Sequence, residues 1–206
     1  MILVHHLRVG RSVFTVWLLE ELGLDYELKI YIRDEMRRAP PELRKIHPLG
    51  KSPVIEDGDL TLAESGAIAV YLLDHYDTDN NLNTPLPDDI AARALWTQWL
   101  HYSEASAFAP LLIKLLLMVE EKPHPPVLTG YATGEIALQL GYIQDFLGDK
   151  PFIMGDTFQA PDIGMTYILA LAQRIGELEN YPTLNAYLAR NTARPAFVRA
   201  MERTGG

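Results

Sequence analysis

His47-Pro48-Leu49-Gly50-Lys51-Ser52-Pro53-Val54, followed eleven residues after Pro53 by Glu64-Ser65, is the stretch on which the reading of this chain turns. Pro53 stands just before the apolar pair Val54-Ile55. Proline removes a ladder donor, so within a sheet it is kept to an edge or to the start of a strand. Two states of the Ser52–Pro53 bond are open. A trans bond is the plain one, because only about 5% of X-Pro bonds in folded proteins are cis. A cis bond would turn the Ser52 backbone outward, where its N–H and C=O can pair with an extended peptide ligand in the manner of a one-residue strand. Glu64-Ser65 also reads two ways. Serine at a helix start with an acid beside it is ordinary helix entry. The same helix terminus and hydroxyl also suit a carboxylate, while Glu64 suits an ammonium group. A γ-glutamyl end carries both.

On either side, short strand-like and helix-like segments alternate. Ile2 to Leu7 reads as a buried strand and Tyr26 to Ile32 as a second. Between them Arg11 to Leu22 has Val13, Val16, Trp17, Leu19 and Leu22 at helical spacing, with Gly23 placed for a C-cap. Pro40-Pro41 opens a short helix. Val54 to Glu56 and Leu60 to Leu62 flank Asp57-Gly58, a hairpin signal, and Glu64 to Tyr76 is a third helix. The order βαβ-α-ββ-α suits a small mixed sheet with helices on its faces. Asp77 to Asp89 is rich in Asp, Asn and Pro and reads as a linker. The remainder reads as helices: Ala91 to Glu120, kinked or split at Pro110, then Thr129 to Leu147, Pro161 to Arg174, Pro182 to Arg190 and Pro195 to Arg203. Two domains are therefore expected, 1–80 mixed and 88–206 all-helical.

The bulk chemistry narrows the partners. The chain has 206 residues, 48% hydrophobic and 22% charged, with a net charge of −9. Such acidity repels a phosphate backbone, which argues against nucleic acid and obliges any anionic ligand to find a local basic pocket. There is no cysteine. Disulfides, cysteine–zinc sites and an enzyme thiol that forms a mixed disulfide are excluded. Any thiol chemistry must use sulfur brought by the ligand. Met1-Ile2-Leu3-Val4 stops at His5-His6, and Lys114 interrupts the apolar run Pro110 to Val119. Neither is a signal peptide nor a membrane span, so a soluble cytoplasmic protein is expected.

Together the segments resemble the glutathione transferase family. The resemblance rests on His-Pro-Leu-Gly-Lys-Ser-Pro-Val-Ile from His47, on Leu-Ala-Glu-Ser-Gly-Ala-Ile from Leu62, and on Trp17-Leu18-Leu19-Glu20-Glu21-Leu22-Gly23. Arg38-Ala39-Pro40-Pro41-Glu42-Leu43 is similar to a fungal and bacterial subset, and Gly155-Asp156-Thr157-Phe158 with Asp162 resembles the family's helical-domain folding motif. The resemblance implies a thioredoxin-like domain with a cis-proline, followed by an all-helical domain. It implies that Ser52 and Pro53 meet the cysteinyl part of glutathione and that Glu64 and Ser65 hold its γ-glutamyl end. Lys51 would reach the glycine carboxylate, with Arg37 and Arg38 as alternatives; a solvated loop is the plain alternative for each. The implied activity is conjugation of the glutathione thiolate to hydrophobic electrophiles, or peroxide reduction, by a homodimer without a metal. The other class is a non-catalytic glutathione-binding or interaction module of the same fold.

A conjugating enzyme must favour thiolate over thiol. A free thiol with pKa ~8.5 needs a shift of about 1.5 units, roughly 2 kcal/mol, to be half ionised at neutral pH. One hydrogen bond to the charged sulfur, about 1.5–3 kcal/mol, is enough. Yet Gly10 stands where related bacterial and fungal members carry serine. Ser12, or a backbone N–H near Arg11, is then expected to face the sulfur, with the Arg11 charge assisting. A helix N-cap for Ser12 and a surface charge for Arg11 are the plain alternatives. His5 and His6 alternate on a strand, so at most one should face the site. In the helical domain, Tyr102 and Phe108 are candidates to line the second-substrate site, against core or dimer-interface positions.

Overall fold

The computed structural model describes residues 1–205 and forms two compact units, Met1–Leu82 joined by the chain from Ala193 onward, and Asn83–Thr192. The first contains β1 (Ile2–Leu7), α1 (Val13–Leu22), β2 (Tyr26–Tyr31), α2 (Leu43–Ile46), β3 (Val54–Asp57), β4 (Leu60–Ala63) and α3 (Ser65–Tyr76). Its sheet order is β2-β1-β3-β4. β1 runs parallel to β2 and antiparallel to β3, and β4 returns antiparallel to β3. This is the thioredoxin-like arrangement. The near-continuous apolar run of β1 fits its central place, where both faces are covered.

The hairpin turn sits one residue from the Asp57-Gly58 signal. Asp57 pairs with Leu60, so the two-residue loop is Gly58-Asp59, with Gly58 at φ +57. Glycine supplies that left-handed conformation at the first central position.

Six consecutive residues of α1, Phe14 to Leu19, are buried, more than one apolar stripe accounts for. The reason lies at the far end of the chain. The last helix, α9 (Pro195–Thr204), expected with the second domain, instead packs on α1. Phe197 meets Trp17 edge-on at 4.9 Å, and Arg194 forks onto the Glu21 carboxylate at 2.6 and 2.7 Å. Glu20 accepts from Tyr26, Arg199 and Arg203. Burial works to raise the Glu20 pKa, but these hydrogen bonds win and hold it below the ordinary carboxylate value.

The second unit is helical: α4 (Ile90–Tyr102), a π-helical turn at Ser103–Ala107, α5 (Phe108–Leu117), α6 (Pro126–Leu147), α7 (Ala160–Arg174) and α8 (Pro182–Thr192). The π turn lies just before Pro110, whose missing N–H cannot continue a regular ladder. Asp162 is fully buried and accepts from the backbone N–H of Ile153 and Gln159, each at 2.8 Å, and from the Tyr187 hydroxyl at 2.5 Å. It closes the entry to α7 and has a structural part. Among the described residues no helix is long and apolar enough to cross a membrane.

Candidate functional site

Strand direction gathers four loops at one rim of the sheet. β1 and β2 end there, at Leu7 and Tyr31, while β3 starts there and β4 returns to it. Val54 pairs with Ala63, which sets Ser52-Pro53 beside Glu64-Ser65. The eleven-residue spacing is thus the length of a hairpin with a two-residue loop.

The Ser52 side chain is committed to β1. Its hydroxyl donates to the His5 carbonyl at 2.7 Å and accepts the Leu7 N–H at 3.1 Å. What Ser52 can offer a ligand is therefore backbone. The Ser52–Pro53 peptide is cis, and Pro53 is buried. Gly50 precedes them at φ +57, where a Cβ would stand 2.7 Å from Cγ of Arg44, so any other residue would be strained and would push Arg44 aside. Lys51 is exposed on the same loop.

Glu64 is exposed, Ser65 is buried, and Glu64 has φ 74 and ψ 118. A non-glycine residue held so costs on the order of 1–3 kcal/mol, and such residues cluster at ligand clamps. Cations collect around the rim despite the net charge of −9: Arg8 and Arg11 after β1, Arg33, Arg37 and Arg38 after β2, and Lys51 before β3. Asp34 is turned back onto the Arg38 N–H at 2.7 Å. Leu43 of α2 is fully buried with Leu7 and Tyr31, anchoring the long loop to both strand ends.

Ser12 occupies the N-cap position of α1. The residue is fully buried and makes no cap hydrogen bond. Its hydroxyl lies 2.8 Å from Nδ1 of His6. The Ser12 hydroxyl is thus engaged inside the fold, while Arg8 and Val9 of the same turn are exposed. Arg11 is half-buried beside it. At Gly10 a Cβ would stand 2.7 Å from the Leu7 carbonyl oxygen, so serine does not fit here without a shift. His5 and His6 are both 1% exposed, because the central strand is covered on both faces. His5 bonds the Tyr31 hydroxyl at 2.8 Å and lies 3.2 Å from Glu56. Burial pushes the His6 imidazole below its ordinary pKa, against the pull of the Thr204 backbone and with help from the Arg8 charge.

A family model described as "Glutathione S-transferase, N-terminal domain" matches residues 1–74. Glutathione S-transferase 3 of Schizosaccharomyces pombe is 34% identical over 186 residues, which cover 84% of this chain and 75% of that protein. Glutathione S-transferase 1 of Saccharomyces cerevisiae is 30% identical over 225 residues, covering 98% and 95%. The chain belongs to the glutathione S-transferase family. Among solved structures, a glutathione S-transferase from Actinobacillus pleuropneumoniae is 37% identical with a TM-score of 0.88, covering all of this chain and 94% of that one. Ure2p, solved in complex with glutathione, shares the fold at a TM-score of 0.82 and 20% identity.

In the transferase's helical unit, Tyr102 and Phe108 both pack on the core cluster. The Tyr102 hydroxyl donates to Gln139, and its ring lies 5.0 Å from Trp99. Burial, then Tyr142 and Glu135, push its pKa up to about 12, so it stays a neutral donor. Phe108 faces Tyr167 at 6.5 Å. Sequence reasoning passed over His6 as the partner of Ser12 and Arg33 as a loop clamp. Neither has a motif; Arg33 is one more charge in a charged run.

Proposed function

We propose that this chain binds glutathione along the rim and presents its thiolate to a small hydrophobic electrophile. The observation that carries the reading is the hairpin register, which sets the Ser52 backbone and Pro53 beside Glu64 and Ser65, at a rim whose loops carry six cationic residues. Ser52 pairs with the cysteinyl backbone, Glu64 takes the γ-glutamyl ammonium, and Ser65 with the α3 start takes its carboxylate. Lys51, Arg37 or Arg38 meets the glycine carboxylate. With Gly10 bare and Ser12 turned inward, backbone N–H groups of the α1 entry hold the sulfur, and the Arg11 charge assists. Tyr102 and Phe108 remain the candidates for the electrophile's site, in a homodimer.

Calorimetry tests binding, and ultraviolet absorbance of the bound thiolate tests activation. Thiolate absorbance near neutral pH, with turnover on a panel of aryl halides, epoxides and hydroperoxides, is the expected result. One observation favours a second reading. The α1 entry offers the sulfur no hydroxyl, which suits a glutathione-binding module without turnover. Binding without thiolate absorbance selects that reading, and no binding at millimolar glutathione removes both.

A further inference from the structure

Arg33, two residues beyond β2, spans two of the rim's loops. Its Nε donates to the Arg8 carbonyl at 3.2 Å and its Nη2 to the Val9 carbonyl at 3.3 Å. Its Nη1 donates to the Arg37 carbonyl at 3.0 Å. Val9, at φ 54, and Arg37, at φ 58, are the non-glycine residues that these loops hold in the left-handed region. One guanidinium fork thus grips both strained residues. Arg's planar, permanently charged fork suits the task; a lysine ammonium, a point charge on a flexible stem, does not.

The grip has a directional consequence. In a planar trans peptide the N–H points opposite to the C=O. Turning the Arg8 and Val9 carbonyls toward Arg33 therefore turns the Val9 and Gly10 N–H groups away from it. At Gly10 a Cβ would collide with the Leu7 oxygen at 2.7 Å but would meet Nη2 of Arg33 only at 3.4 Å, an ordinary contact. Where the expected hydroxyl is missing, the fork leaves a cation and two oriented backbone donors.

We propose that Arg33 is a positioning residue for the thiolate: it fixes the Val9-Gly10 turn so that its N–H groups face the glutathione sulfur, and it keeps a positive charge behind them. This rests on the glutathione reading above. The alternative is a loop staple that serves folding alone.

The test is the pH dependence of bound-thiolate absorbance and of turnover in the full chain, for wild type, Arg33→Gln and Arg33→Lys. Arg33→Gln is expected to raise the apparent pKa of the bound thiol by about one unit. Below that pKa the thiolate fraction, and kcat with it, then falls about tenfold. KM for glutathione should move less than kcat, because Ser52, Glu64 and Ser65 are untouched and, of the proposed contacts, those of the Arg37 loop alone lie under the fork. Arg33→Lys keeps the charge without the fork and should recover only part of the shift. Val9→Gly relieves the strain that the fork opposes, so the same Arg33→Gln change should cost less in that background. An unchanged thiol pKa in a folded Arg33→Gln chain overturns the role. So does a wild-type pH profile in Arg33→Lys, which keeps the question answerable if Arg33→Gln fails to fold. A wild type that binds no glutathione, or binds it without thiolate, overturns the underlying reading and this role together. A wild type that forms thiolate while the variants match it overturns Arg33 alone.

Discussion

Two stretches meet at the same rim and solve opposite problems. From Gly50 to Ser65 the chain folds its own needs inward and leaves polar groups outward: the Ser52 hydroxyl serves β1, and Glu64 stands exposed. From Leu7 to Ser12 the one hydroxyl goes inward to His6, and Gly10 stands at the place where the resemblance leads one to expect serine. The first stretch depends on backbone geometry, which strand register enforces. The second depends, in the related bacterial and fungal members, on one side chain that this chain lacks. On the proposed reading, binding and activation are therefore separable, and one half can change while the other stays.

The largest expected effect lies on the hairpin side. If Glu64 takes the ligand's ammonium, Glu64→Ala removes a charged hydrogen bond of about 1.5–3 kcal/mol. Calorimetry should then show glutathione binding weakened roughly 10- to 100-fold. Melting temperature should hardly move, because the side chain is exposed. An unchanged dissociation constant takes Glu64 out of the site and leaves its backbone strain without a functional account.

The difference between the two stretches also explains what could be read in advance. β1, the βαβ crossover, the hairpin and α3 follow from apolar periodicity and turn residues, which are local signals. The pairing of Pro53 with Glu64-Ser65 follows from hairpin length, which is nearly local. The inward turn of Ser12 does not, because its partner His6 is set by the packing of α1 over a strand buried on both faces. The burial of α1 all round was equally hidden, since α9 supplies its second cover from the far end of the chain. Tyr102 likewise reads as a free polar group in sequence, and only packing shows its hydroxyl donating to Gln139.

Smaller effects belong to the α1 entry. Ser12→Ala leaves Nδ1 of His6 buried without its partner and should cost roughly 1–3 kcal/mol of stability. Chemical denaturation checks this. Turnover per folded molecule should hold, because the hydroxyl faces His6 and not the rim. A turnover loss that exceeds the stability loss would restore Ser12 to the chemistry and erase the contrast between the stretches. Gly10→Ser, the apparent repair of the family pattern, should fail as a repair. Its Cβ meets the Leu7 oxygen, a backbone atom that cannot swing aside, and overpacking of this kind costs on the order of 1 kcal/mol. A gain in kcat at unchanged melting temperature would show that the turn yields where the hairpin side does not.

The smallest effect is a slope with pH, and it asks which stretch loosens first. The folded pKa of His6 lies below its ordinary value of 6.5, chiefly through burial. As pH falls below about 6.5, the unfolded chain takes a proton there before the folded one does. Stability is thus full above that pH and declines below it, until the lowered folded pKa is passed. His6→Asn, which can still accept the Ser12 hydroxyl, should flatten this slope in melting curves between about pH 7 and 5. Hydrogen exchange adds the location. In the tautomer whose Nδ1 accepts from Ser12, protonation removes that hydrogen bond, so amides of the first α1 turn should lose protection in acid ahead of those in β3 and β4. Equal loss across both stretches would mean that the sheet carries the stress of the buried imidazole as one body, and that the α1 entry is no softer than the hairpin it faces.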